Sequence, residues 1–165
     1  MKTQPIHILK FSLLVITVFF CINVKGQSNH YESLILHGDT FSYLVPKTPV
    51  SNNWKFVFDK NTNWKKGASG IGYGDGDDRT IIESTTSLYI TKFFNVLDKD
   101  NILELILDID YDDGFVAYLN GKEIARSNVE GNPPAYNQTT TGYSEALLLN
   151  GKLPERHLVD VKLLN

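Results

Sequence analysis

Between residues 102 and 111, Leu103, Leu105, Leu107, Ile109 and Tyr111 occupy every second position. That is the repeat of a strand with one buried face. Asp112-Asp113-Gly114 ends the run with turn formers. Residues 115–119 and 122–126 then flank Asn120-Gly121, the pair that most strongly predicts a two-residue β-hairpin. Upstream, the aromatic and β-branched run 54–58 and the longer run 87–96 each close on Asp, Lys and Asn and predict two more strands. Residues 155–165 read as a strand, or the start of one, that stops on an apolar stretch. The segment 128–143, with Gly131, Pro133 and Pro134, is a polar loop long enough to bind something or to move. No window of eleven or more residues holds a helical period, and turn residues recur every 8–12 positions. The pattern predicts an all-β chain built as a sandwich or barrel.

The N-terminus follows another pattern. Lys2 and Lys10 precede an apolar run from Phe11 to Ile22, and Asn23, Val24, Lys25 and Gly26 form a short exit. A basic start, a short apolar middle and a small residue at the cut are the parts of a secretory signal peptide. The run is short for a bilayer span, which needs about 20 apolar residues. The expected organisation is a signal peptide at 1–26, a lead-in at 27–49 and one domain at 50–165, in an exported protein with no membrane span after cleavage. Removing 1–26 takes three Lys and no acid, leaving 13 Lys+Arg against 19 Asp+Glu, a balance of −6 over 139 residues. Cys21 and the only Met leave with it, which excludes a disulfide framework, a thiol nucleophile and a Cys-ligated zinc site. An acidic domain without a basic run is also a poor partner for nucleic acid.

Gly67, Gly70, Gly72, Gly74 and Gly76 invite a nucleotide-loop reading. A dinucleotide loop, however, needs its glycines between a strand and a helix, and no helical pattern follows. A permissive loop beneath Trp64 and Tyr73 is the simpler expectation. Two acidic clusters hold seven of the nineteen acids: Asp75, Asp77 and Asp78, then Asp108, Asp110, Asp112 and Asp113. Calcium takes six to eight oxygens from a flexible loop, so Asp75, Asp77 and Asp78 are the candidate ligands of a structural calcium. Asp108 and Asp110 share the face opposite Leu107 and Ile109, the place of solvating charges. No carboxylate pair is singled out for glycoside hydrolysis. Gly67-Ala68-Ser69-Gly70 misses the nucleophile elbow by one position. His30, His37 and His157 are too scattered for a zinc motif, and each reads as a surface or satisfied core histidine. Trp54, Trp64, Tyr73, Tyr111, Tyr118, Tyr136 and Tyr143 are candidates for stacking on sugar rings, although such residues more often fill cores. Tyr136, in the proline-containing loop, is the one placed for exposure. Asn137-Gln138-Thr139 fits a glycosylation sequon.

Several phrases then fall into order. Trp64-Lys65-Lys66-Gly67 leads to Gly70-Ile71-Gly72-Tyr73-Gly74-Asp75-Gly76-Asp77-Asp78 and Thr80. After these come Tyr89 with Phe93-Phe94, then Tyr111-Asp112-Asp113-Gly114-Phe115-Val116-Ala117-Tyr118-Leu119-Asn120-Gly121-Lys122-Glu123 and Arg126. Over residues 50–165 this resembles the galactose-binding-like β-sandwich module of secreted bacterial proteins, which sits beside CotH-type kinase, lamin-tail, phosphoesterase and glycoside hydrolase domains. The resemblance implies an antiparallel jelly roll, here lacking its C-terminal strand, and a non-catalytic accessory role that binds carbohydrate or an adjacent domain. Its ligand-binding candidates, where the loops gather at one end, are Tyr73, Arg79, Asp112, Asp113 and Tyr136. The alternatives are a structural spacer of a secreted kinase-like or hydrolase enzyme whose catalytic part lies beyond residue 165, and a truncated gene product with no function of its own.

Overall fold

The computed structural model describes residues 29–56, 63–74, 76 and 78–165. The chain divides into two compact units, 1–32 and 33–165. Of the first, the described part shows one exposed contact, His30 Nε2 to Glu32 at 3.0 Å. The second carries nine short strands and no α-helix among the described residues, so it is an all-β unit.

β1 (Thr40–Leu44) is the centre of a three-stranded sheet, antiparallel to β2 (Lys65–Ala68) on one side and β5 (Tyr89–Thr91) on the other. The sheet therefore begins inside the segment expected to be a lead-in. Its pairing partners lie more than 20 residues downstream, Tyr43 facing Lys65 and Leu44 facing Tyr89, which no local pattern announces. β3 (Ile71–Gly72) and β4 (Thr80–Ile81) form a two-residue parallel pair. The glycine run is thus not all loop. Of the four glycines from 70 to 76 only Gly72 lies on a strand, where a β-carbon would sit 2.5 Å from Asp78 Oδ1, while Gly70, Gly74 and Gly76 take positive φ.

β6 (Leu105–Ile109) pairs antiparallel with β9 (Glu155–Val159), and β7 (Phe115–Leu119) with β8 (Lys122–Ser127). In the first pair Leu105, Leu107 and Ile109 face Val159, His157 and Glu155, while Asp108 and Arg156 meet on the opposite face. The second pair turns through Asn120 (φ 49°) and Gly121 (φ 79°), both left-handed as a type I′ turn requires. The register shifts through a bulge between Ala117 and Tyr118, before the turn.

Two predicted strands differ. Residues 54 and 55 of the aromatic run belong to a 3-10 turn, Asn52–Lys55, started by Ser51 Oγ accepting from Asn53 N–H; residues 57 and 58 lie outside the described residues. The turn presents Trp54 sideways to Tyr89 (ring centroids 5.0 Å, edge-on), Tyr118 (5.9 Å) and Trp64 (6.4 Å). Aromatic packing of this kind takes the place of a strand's face. The run 87–96 keeps only β5. Lys92 leaves the ladder to reach Asp39 Oδ2 at 3.0 Å and the Thr40 carbonyl at 3.3 Å. The C-terminal run is a strand followed by a 3-10 turn, Val161–Leu163. Val159 and Leu164 join Tyr43 as the buried hydrophobics among the described residues.

Candidate functional site

Three loops are tied to one another by hydrogen bonds, and four of the five predicted ligand residues lie on them. The Tyr73 hydroxyl donates to the Thr85 carbonyl at 2.9 Å. The Thr85 hydroxyl donates to the Ser87 carbonyl at 3.0 Å, and the Ser87 hydroxyl donates to the Tyr136 carbonyl. Tyr73 and Tyr136 are thus joined through residues 85–87. Farther along, Asn128 Nδ2 donates to the Asp113 carbonyl (2.8 Å), Thr141 N–H to the Asn128 carbonyl (2.8 Å) and Ser144 N–H to Asp113 Oδ1 (3.3 Å). The long loop is therefore pinned at Asp113 and at Ser87. A third pin is Arg126, whose Nε and Nη2 grip the Glu123 carboxylate at 2.5 and 2.6 Å. Its Nη1 donates to the carbonyls of Val129 and Gly131, both at 2.9 Å.

The Tyr143 hydroxyl donates to Glu145. That hydrogen bond, then desolvation and the charges of Glu145, Asp112 and Asp113, push the Tyr143 hydroxyl up to about 12. Tyr143 is 76% exposed. The sequence named it among the stacking aromatics without placing it at the site, and Glu145 carried no signal. Tyr136 is half-buried rather than exposed, and its main chain is the part held by Ser87. The Arg79 guanidinium lies against Gly38, where a β-carbon would be 2.2 Å from Nη1. Asp75 and Asp77 lie outside the described residues, and Asp78 sits beside Gly72. Among the described residues no group of three or more His, Cys, Asp or Glu side chains is placed to share a metal ion.

The second acidic cluster is not a simple solvated face. Asp108 forms a two-point bond to Arg156, 2.7 Å at Nε and 2.7 Å at Nη2, and the arginine holds its carboxyl below the usual range. Asp110 accepts from the main-chain N–H groups of Leu147 (2.6 Å) and Leu148 (3.2 Å), so it starts the turn at 148–150. Such a carboxylate satisfies donors that a helical turn leaves free.

Sequence reasoning did not find a polar knot nearby. Tyr111 OH donates to Glu155 Oε2 at 2.5 Å and, having one proton, accepts from the Ser127 hydroxyl at 2.9 Å. Glu155 Oε1 lies 3.1 Å from His157 Nε2, near enough for a charge pair. That nitrogen is shielded from water and misaligned for a hydrogen bond. Phe115 packs between, 4.7 Å from the Tyr111 ring and 5.6 Å from His157. The knot joins the ends of β6, β8 and β9, three strands that no sequence spacing links. A separate groove of about 530 Å³, bounded by Tyr43, Val45, Lys65, Ile81 and Glu83, contains none of the predicted site residues.

No helix of the described residues is long and apolar enough to cross a membrane. Compared with known proteins, the chain matches no family model, no curated protein and no solved structure.

Proposed function

We propose that the chain is an exported, non-catalytic β-sandwich module of the galactose-binding-like jelly-roll type that binds carbohydrate through residues 110–114 and 141–146. One observation carries the reading: an exposed tyrosine, Tyr143, donates its hydroxyl to the Glu145 carboxylate, and the next residue, Ser144, donates its N–H to the Asp113 carboxylate. An aromatic face matches the C–H face of a pyranose, and carboxylates accept from sugar hydroxyls in charge-assisted hydrogen bonds. The loops are fixed by hydrogen bonds that link Asp113, Asn128, Thr141 and Ser144, so little ordering cost falls on binding. The negative surroundings favour neutral or amino sugars over uronic or sulfated ones.

A glycan array probed with the purified chain tests this. Binding to neutral or amino sugars is expected, weakened about tenfold, or ~1.4 kcal/mol, by Tyr143→Ala with an unchanged melting temperature. An array without hits, or a Tyr143→Ala chain that binds as before, removes the reading. A structural calcium held by Asp75, Asp77 and Asp78 belongs to the same proposal. Its mark is a melting midpoint raised in roughly millimolar calcium, and a midpoint that stays put removes it.

The second reading, packing against an adjacent domain, is favoured by the outer face of the β6–β9 pair. There Leu158 is 73% exposed beside the Asp108–Arg156 ion pair. Under that reading Leu158→Ser, rather than Tyr143→Ala, impairs the parent protein.

A further inference from the structure

The tetrapeptide Leu-Asn-Gly-Lys occurs twice, at 119–122 and at 149–152. We infer that Asn150 is a site of spontaneous deamidation and isoaspartate formation, and that the fold shields Asn120, its twin in local sequence. The chemistry needs an asparagine side chain, a following residue without a β-carbon, and enough main-chain freedom to bring them together. The Gly151 main-chain nitrogen loses its proton to solvent base and attacks Cγ of Asn150. The new C–N bond closes a five-membered succinimide, the Cγ–Nδ2 bond breaks, and ammonia leaves. Water then opens the ring at either carbonyl to give aspartate or isoaspartate. The net change is loss of ammonia and gain of water, with no redox step.

Both pairs meet the sequence requirement, so structure decides between them. Asn120 is held from two sides. Its Nδ2 donates to the Leu163 carbonyl at 2.7 Å, and its glycine lies under the Phe56 ring, where a β-carbon would be 1.8 Å from Cε1. Moving it means opening the β7–β8 ladder that the hairpin closes. Asn150 is exposed, and its side chain has only a long 3.4 Å contact to the Ala146 carbonyl. Nothing lies within 4 Å of a β-carbon built on Gly151. The Gly151 nitrogen must first release the Leu148 carbonyl (3.0 Å), and Lys152 the Leu147 carbonyl (3.1 Å). Those bonds belong to a three-residue 3-10 turn, Leu148–Asn150. A single turn opens locally at far lower cost than a hairpin within a sheet. Asparagine is among the residues counted as thermolabile for such reasons.

The test ages the chain at mildly alkaline pH and 37 °C and follows both tryptic peptides by mass spectrometry, since Lys122 and Lys152 each end one. In the native chain Asn150 is expected to convert at least about tenfold faster than Asn120, the span that a modest difference in local opening produces. In urea the two are expected to convert at similar rates, because the four residues are the same. Native rates that are equal, or an Asn120 that reacts faster, overturn the inference. So does an Asn150 that stays intact while the urea sample converts. Asn150→Ser removes the modified species and, the residue being exposed, leaves the fold intact as a control.

Discussion

Residues 119–122 and 149–152 share one sequence and take two structures. The first turns a hairpin, with Asn120 and Gly121 both left-handed and Leu119 paired to Lys122. The second ends a 3-10 turn, with Gly151 alone left-handed (φ 68°) and its N–H bonded to Leu148. Asn-Gly is compatible with both, because either residue tolerates the left-handed region and glycine closes helical turns as readily as hairpins. The choice comes from outside the tetrapeptide. Residues 115–119 and 122–127 are complementary strands, and Leu163 and Phe56 hold the tip. Around 149–152, Asp110 starts a turn instead and no strand follows until Glu155. A local signal names the permitted conformations, and distant partners select one.

The largest expected effect is at the two glycines. Gly121→Ala adds a methyl group where Phe56 already stands and where the main chain is left-handed. A loss of about 2–4 kcal/mol in urea unfolding is expected. Gly151→Ala meets open space and bears only the left-handed cost, about 1 kcal/mol. Equal losses would mean that the Phe56 contact does not distinguish the turns.

Next come the asparagines. Asn120→Ala loses the bond to the Leu163 carbonyl and a residue suited to φ 49°, for about 1–2 kcal/mol. Asn150→Ala, exposed and weakly bonded, is expected within about 0.5 kcal/mol of the parent. A reversal of that order would place the anchored turn at 150 rather than 120.

The smallest effect concerns acid. The hydrogen bonds to Arg126 hold the Glu123 carboxyl below its ordinary 4.5. Between that lowered value and 4.5 the unfolded chain binds more protons, so stability rises with pH across this window and is level above it. Denaturation midpoints measured down through pH 4.5 are expected to fall less steeply in Arg126→Met than in the parent. Parallel profiles would show that the pair supplies no pH-linked stability to the hairpin side.

Much of this unit was legible from the sequence where neighbours in the chain are neighbours in space. Alternation marked β6, and Asn-Gly with its flanks marked the β7–β8 hairpin to within a residue. The lead-in strand β1 was missed because both partners are remote. Trp54 was misplaced on a strand because an aromatic run suits a sheet face and a side-on cluster equally well. Asp110 was assigned to solvent because alternation fixes a side chain's face and not what approaches it. The site was half legible. Asp112 and Asp113 stood out as turn acids, whereas Glu145 and the exposure of Tyr143 depend on a loop folding back through Asn128 and Asp113. That Arg79 rests against the Gly38 turn was not legible, because its place in the sequence beside Asp78 says nothing of that turn.

Amide-resolved NMR of the chain during titration with neutral and amino-sugar oligosaccharides tests the central claim most directly. The account predicts shifts concentrated at residues 110–114 and 141–146, abolished by Tyr143→Ala. Shifts confined to the Trp54, Trp64 and Tyr118 cluster, or none at millimolar sugar, would contradict it.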